Sequence, residues 1–195
     1  MKKVLLLAVV LCGLCKADAQ HLKNQLKRGI KYQSEINVGY GAAKHSENYP
    51  KIPEELIISN YFIFETVQGF RISPHFFTGI GAKMLAKTNF DAAHLPIFAD
   101  VKYYPINRVF APYIAVDIGY SISLYSNYRY GSFYDPDCFS YNGIHGMVGA
   151  GFNYKHLNFG LGYQIQHIKS WLDSSELSNK QKWPSSFNLK VGVKF

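Results

Sequence analysis

Cysteine is scarce in this chain: three occur in 195 residues, at Cys12, Cys15 and Cys138. The first two fall inside an N-terminal segment with the form of a removable leader, so one thiol remains and an intrachain disulfide framework is excluded. Long apolar runs are also missing. Beyond Gln20 nothing approaches the roughly eighteen residues that a membrane-spanning helix needs, so any insertion into a bilayer must use strands. The histidines, His21, His45, His75, His94, His145, His156 and His167, stand singly, and no pair has metal-ligand spacing; no metal and no cofactor are expected. Acidic residues are the minority, 13 against 21 Lys and Arg, for a formal charge of +8. The basic residues are scattered, with no run and no helical face to gather them, which argues against a nucleic-acid partner.

The start of the chain explains part of that composition. Met1-Lys2-Lys3 is a positive beginning, Val4 to Leu14 is an apolar stretch of eleven residues, and Ala17-Asp18-Ala19 is a small-residue cleavage signal before Gln20. Eleven residues are too few to span as a helix, so residues 1–19 are expected to be a signal peptide, with no lipid anchor. Its removal takes three lysines and one aspartate from the total. The remaining 176 residues carry +6 and divide into a lead, 20–29, and a single domain, 30–195.

That domain is dominated by period-two alternation. The last nine residues show it best: Phe187, Leu189, Val191, Val193 and Phe195 share one face, and Asn188, Lys190, Gly192 and Lys194 the other. Seven further segments behave alike: Ile30–Gly41, about Asn60–Ile72, Phe76–Ala86, His94–Tyr104, Tyr113–Leu124, Ile144–Tyr154 and Leu157–Gln166. The apolar faces hold no charged residue, although Thr66 and Gln68 are blemishes on the second. The polar faces combine Gly, Asn, Gln and Ser with ions of both signs. A lipocalin-like soluble barrel reverses this arrangement, keeping its apolar face inside for a ligand. A strand between lipid and a polar lumen requires it, since a Lys or Arg facing lipid at mid-bilayer costs about 2 to 4 kcal/mol.

Spacing and connections agree. Tyr32 and Tyr40 lie eight residues apart on one face, roughly 26 Å along a strand and about 20 Å of height at a tilt near 40°, and Phe187 and Phe195 repeat the interval. Such pairs read as two interface girdles. Connections at 73–75, 105–108 and 155–156 are short, whereas 42–57, 85–93, 125–142 and 172–184 are long, in strict alternation. The expected fold is therefore an all-β, eight-stranded antiparallel up-and-down transmembrane barrel with short periplasmic turns, longer external loops and both termini in the periplasm.

Four Gly-x-Gly pairs (Gly39/Gly41, Gly79/Gly81, Gly149/Gly151, Gly160/Gly162) sit inside strands with no helix following, so none is a phosphate-binding loop. They are expected to make room in a narrow lumen for Phe77, Phe98, Tyr104 or Tyr113. The inward ions Glu35, Glu65, Asp100 and Asp117 can meet Lys31, Arg71, Lys83, Lys102, Lys190 and Lys194 in a salt-bridged plug with no wide channel. Asp100 and Asp117, on neighbouring strands, also admit a catalytic carboxylate pair; Lys102 nearby and the absence of an implied cleft favour structural pairing. The loop at 125–142 is rich in aromatics, with Tyr128, Tyr130, Phe133, Tyr134 and Phe139, and Trp183 borders the next loop. Exposed aromatics with a few charges suit a glycan or protein ligand; self-packed loops above the girdle are the plainer alternative.

Gly69-Phe70-Arg71, Phe76-Phe77-Thr78-Gly79-Ile80-Gly81, Leu95 to Tyr104 and Pro112 to Tyr120 together resemble the small porin-like outer-membrane β-barrel family common in Bacteroides-type bacteria. The resemblance spans nearly all of the chain after residue 19. It implies an eight-stranded barrel in the outer membrane of a Gram-negative cell, with outer-membrane lipid and lipopolysaccharide as surroundings, and it brings no functional residue with it. The final strand ending in Phe195 is expected to meet the barrel-assembly machinery. The functional expectation is non-enzymatic: envelope structure, or adhesion through the aromatic loops. A small passive channel is one alternative. Another is a lipid A deacylase-like enzyme, suggested by His167-Ile168-Lys169-Ser170. Those enzymes carry His-x-Ser, however, and a separation of three on a strand puts the two side chains on opposite faces.

Overall fold

Alternation along each segment becomes closure of one sheet. The computed structural model describes residues 30–43, 60–88, 92–106, 108–126, 129–130, 133–134, 139–140, 142–167, 169–170 and 185–195. Its strands are β1 (Lys31–Ala43), β2 (Tyr61–Arg71), β3 (Phe76–Lys87), β4 (Ala92–Tyr103), β5 (Phe110–Ser126), β6 (Arg129–Tyr130), β7 (Phe133–Tyr134), β8 (Phe139–Ser140), β9 (Gly143–Tyr154), β10 (Leu157–Gln166), β11 (Lys169–Ser170) and β12 (Ser185–Lys194). Eight of them form a closed antiparallel barrel in the order β1-β12-β10-β9-β5-β4-β3-β2. No helix occurs among the described residues.

Closure falls between the first and last strands. β1 pairs with β12 from Glu35 opposite Lys194 to Ala43 opposite Ser186. Ser34 and Phe195 extend this ladder by exchanging backbone hydrogen bonds of 3.1 and 2.9 Å. With no free edge, each of the eight barrel strands has two neighbours, as a sheet in lipid requires.

The outward face is apolar and open: Ile80, Ile118 and Leu161 are 68, 65 and 64 % exposed. Aromatic pairs bound it at two levels. Tyr40 meets Phe62 edge-on at 6.0 Å, Tyr163 meets Phe187 at 5.1 Å, and at the other end Tyr32 meets Phe70 at 5.8 Å and Phe76 meets Tyr103 at 5.0 Å. Gln68, one of the two polar residues on this face of β2, has its side-chain carbonyl bonded by the Tyr32 hydroxyl. That contact spares lipid an unsatisfied amide oxygen.

Two irregularities have local causes. The β3–β4 ladder lapses between the Ala82–Ile97 and Leu85–His94 pairs. Pro96 lies in that gap and has no N–H to give, while its other side still pairs with Ser121. Beside Ala93 and His94 the register shifts, because β5 holds one extra residue, Leu124, in a bulge.

Strict alternation of short and long connections does not hold. β3 continues to Lys87 and β4 begins at Ala92, with Ala86 opposite Ala93, so this connection, at the end opposite the termini, is four residues where nine were expected. The connection between β4 and β5, at the end carrying the termini, is six residues and so the longer of the two. Alanines and a lysine extend the strands past the alternating core without marking themselves as strand in the pattern.

Glycines let rings lie against the wall inside. A Cβ on Gly81 would come within 2.5 Å of Cε2 of Phe98, and one on Gly151 within 2.6 Å of the Tyr113 ring. Gly81→Ala is expected to lower stability by about 1 to 3 kcal/mol through overpacking. Adding Phe98→Leu should recover part of that loss, as read from urea unfolding in detergent micelles; a neutral Gly81→Ala would contradict the packing described.

Candidate functional site

The polar faces converge on a layer of ions in the middle of the lumen. All four carboxylate side chains among the described residues, Glu35, Glu65, Asp100 and Asp117, are buried there, at 0 to 2 % exposure. Glu65 is the hub. Lys83, its register partner on β3, comes within 3.2 Å, and Lys190 from β12 reaches both its oxygens at 2.8 and 2.9 Å. Asn37 donates to the same carboxylate at 2.9 Å. Lys83 also reaches Asp117 at 3.5 Å. Lys102 is shared between Glu35, with which it pairs closely, and Asp100 at 3.3 Å. Gln33 and Asn158 complete Glu35 with donations of 2.8 and 3.0 Å. An ion in so dry a place persists only if paired, and here each carboxylate has a lysine within 4 Å.

Asp100 and Asp117 face each other directly in the β4–β5 register. Like charges opposed across strands repel, and Lys102 and Lys83 offset that repulsion from either side. The space beside them, bounded by Glu65, Lys102, Tyr113, Met147 and Lys190, is a cavity of about 10 Å³. It holds about one water molecule and no substrate.

Packed layers lie on both sides of the ions. Toward the termini, Val67, Phe77, Tyr104, Ala111 and Tyr113 form an apolar cluster with Ala115 and Phe98. Lys102 Nζ sits 5.4 Å from the Phe77 ring centre and 5.3 Å from that of Tyr113. Toward the opposite end, Tyr61, Ile63 and Leu85 make a second cluster. There the Tyr61 hydroxyl donates to Asn188 at 2.6 Å and Asn188 donates to Gln164 at 3.1 Å. The lumen is filled at three levels.

Of the ten inward ions named in the sequence, seven meet in this layer, Glu35, Glu65, Lys83, Asp100, Lys102, Asp117 and Lys190, while Lys31 and Lys194 fall at the end carrying the termini. Arg71 does not join the layer. Its guanidinium lies 4.3 Å over the Tyr104 ring and donates to the Pro74 carbonyl at 2.8 Å, at the rim. Tyr61, Asn37, Asn158 and Asn188 were not singled out, although inward parity on their strands is the signal that would have found them. Among the external aromatics, Tyr128 and Trp183 lie outside the described residues. For Tyr130, Phe133, Tyr134 and Phe139 only the backbone is described: β6 pairs with β7 as a small hairpin, and β8 pairs with β11. His167 and Ser170 are not on one strand, because β10 ends at Gln166 and β11 joins a separate sheet. Opposite facing on a continuous strand therefore does not apply to this pair. No group of three or more His, Cys, Asp or Glu is placed to hold a metal among the described residues.

No family model matches the sequence, and no curated protein does. Solved structures do match in shape. Neisserial surface protein A aligns with a TM-score of 0.57 at 15 % identity, over 86 % of this chain and 98 % of that one. The chain has the fold of the small outer-membrane barrels. Ail, the attachment invasion locus protein of Yersinia pestis, solved with the heparin analogue sucrose octasulfate, aligns with a TM-score of 0.51 at 12 % identity, over 85 % and 99 % of the two chains. At these identities the likeness is one of fold.

Proposed function

We propose that this chain is an integral, non-enzymatic outer-membrane barrel of a Bacteroides-type cell that binds a glycan or a protein at the end opposite its termini. The observation that carries the reading is the filled lumen: among the described residues its ion layer leaves a cavity of about 10 Å³, too small for a substrate. Activity is thereby left to the external connections. There β6 pairs with β7 in a small hairpin bearing Tyr130, Phe133 and Tyr134. Aromatic side chains beside a few charges supply large contact area with little entropy to lose on binding. The connections at 44–60, 88–91, 127–142 and 167–184 hold eight acidic and six basic residues. That balance favours a neutral sugar or a protein surface over a polyanion such as the ligand seen with Ail.

The triple variant Tyr130→Ala/Phe133→Ala/Tyr134→Ala tests this on whole cells passed over immobilised glycans and matrix proteins. Wild-type cells are expected to be retained above cells lacking the chain, with about a tenfold loss in the variant. Heat-modifiable gel mobility should stay unchanged. Equal retention of variant and wild type would remove the aromatic hairpin from the function.

A further inference from the structure

The acidic residues of this chain are segregated along the barrel axis. At the end carrying both termini, the described cations are Lys31, Arg71, Arg108, Lys155 and Lys194, with His75 and His156 beside them. Lys31, Arg108 and Lys155 are exposed, and no Asp or Glu side chain lies at this end among the described residues. Acidic residues occur only in the lumen layer, in the connections of the opposite end and, in the leader segment, at Asp18. The sequence entering β1 continues the sign, with Lys23, Lys27 and Arg28 and no acid between 20 and 30.

A second feature accompanies the cations. The connections at this end expose aliphatic side chains, Ile72 at 53 %, Ile106 at 47 % and Val109 at 62 %, just beyond the Phe76–Tyr103 and Phe110–Phe152 aromatic pairs. Lys155, held in a left-handed conformation (φ 54°) at the tip of the two-residue β9–β10 turn, stands 5.6 Å from the Tyr154 ring centre. Aliphatic contact with the acyl boundary and cations at headgroup level is the chemistry of a membrane-surface site.

We propose that this rim binds anionic phospholipid headgroups, of the phosphatidylglycerol type, in the leaflet at the termini end. The inference rests on the membrane-spanning reading above. Charge complementarity names the headgroup, and the exposed Ile72, Ile106 and Val109 favour a lipid over an acidic cell-wall polymer, which would leave them in water. Each cation near such a surface adds attraction that salt screens. The rim thus anchors one end of the barrel in its leaflet while the other end is left to its ligand.

The test is native mass spectrometry of the refolded full chain, released from micelles holding equimolar phosphatidylglycerol and phosphatidylethanolamine. Wild type is expected to retain phosphatidylglycerol several-fold in excess. Lys31→Gln/Arg108→Gln/Lys155→Gln should fall to near parity with unchanged heat-modifiable mobility. Lys51→Gln/Lys180→Gln, in the sequence segments joining β1 to β2 and β11 to β12, should keep the preference. Parity in wild type, an undiminished preference in the triple variant, or a preference lost with the Lys51/Lys180 pair would each overturn the proposal. Sedimentation with purified peptidoglycan sacculi, abolished in the triple variant while no lipid preference exists, would assign the rim to a polymer and also overturn it. Recovery of the chain as a soluble periplasmic protein would defeat the membrane reading instead, which separates the two failures.

Discussion

Glu65→Gln should destabilise the barrel by about 3 to 5 kcal/mol, a large share of the stability of a domain this size. The side chain keeps its volume and one acceptor oxygen, so packing is barely altered. What changes is the charge balance of the ion layer. Lys190 loses the carboxylate that it reaches at 2.8 and 2.9 Å, and Lys83 retains only Asp117 at 3.5 Å. A lysine left without its partner in a dry interior bears the full cost of desolvation, which exceeds what the intact pair contributes. Removing both partners should therefore hurt less than removing one. Glu65→Gln/Lys190→Met is expected to regain much of the loss, because Lys83 with Asp117 and Lys102 with Glu35 and Asp100 remain as self-contained sets. Urea titration in micelles, followed by heat-modifiable mobility, measures both variants. A double variant no more stable than Glu65→Gln would mean that Lys190 is not held by Glu65.

Much of this architecture was legible in the chain because lipid and lumen make opposite demands on alternate residues. Tyr32 and Tyr40, and Phe187 and Phe195, set the height of the belt before any coordinates, and their partners Phe70, Phe62 and Tyr163 fall at the same two levels. Strand ends were harder. Ala92, Ala93 and Lys87 carry no alternation, so the short connection at 88–91 was read as a long loop. Facing was readable in the lumen, but partnership was not. Lys102 meets Glu35 on a strand three places around the barrel, and Lys190 meets Glu65 across β1, encounters fixed by barrel diameter and stagger, which no single strand encodes. Arg71 has inward parity, yet it lies at the rim, where the Tyr104 ring and the Pro74 carbonyl hold it. Tyr61 passed unnoticed although it shares inward parity with Glu65 on β2.

The lipid-facing belt yields the second large effect. Leu161 lies near the middle of β10, is 64 % exposed, and stands between Phe159 and Tyr163 on the outward face. Opposite it in register are Ala150 on β9 and Leu189 on β12, so no polar side chain is at hand to accompany a charge placed there. If that surface faces acyl chains, an arginine at Leu161 must be carried into hydrocarbon, at about 2 to 4 kcal/mol near the midplane. If it faces water, the same substitution at an exposed site changes stability by about 0.5 kcal/mol or less. The two solvents thus predict effects that differ several-fold for one residue.

The deciding measurement is the unfolding free energy of Leu161→Arg against wild type, with both refolded into phospholipid vesicles and titrated with guanidinium chloride. A loss of about 2 to 4 kcal/mol is the result for a barrel whose belt lies in the bilayer. A variant within about 0.5 kcal/mol of wild type would contradict it, and with it the membrane placement on which the external binding site and the phospholipid rim both depend.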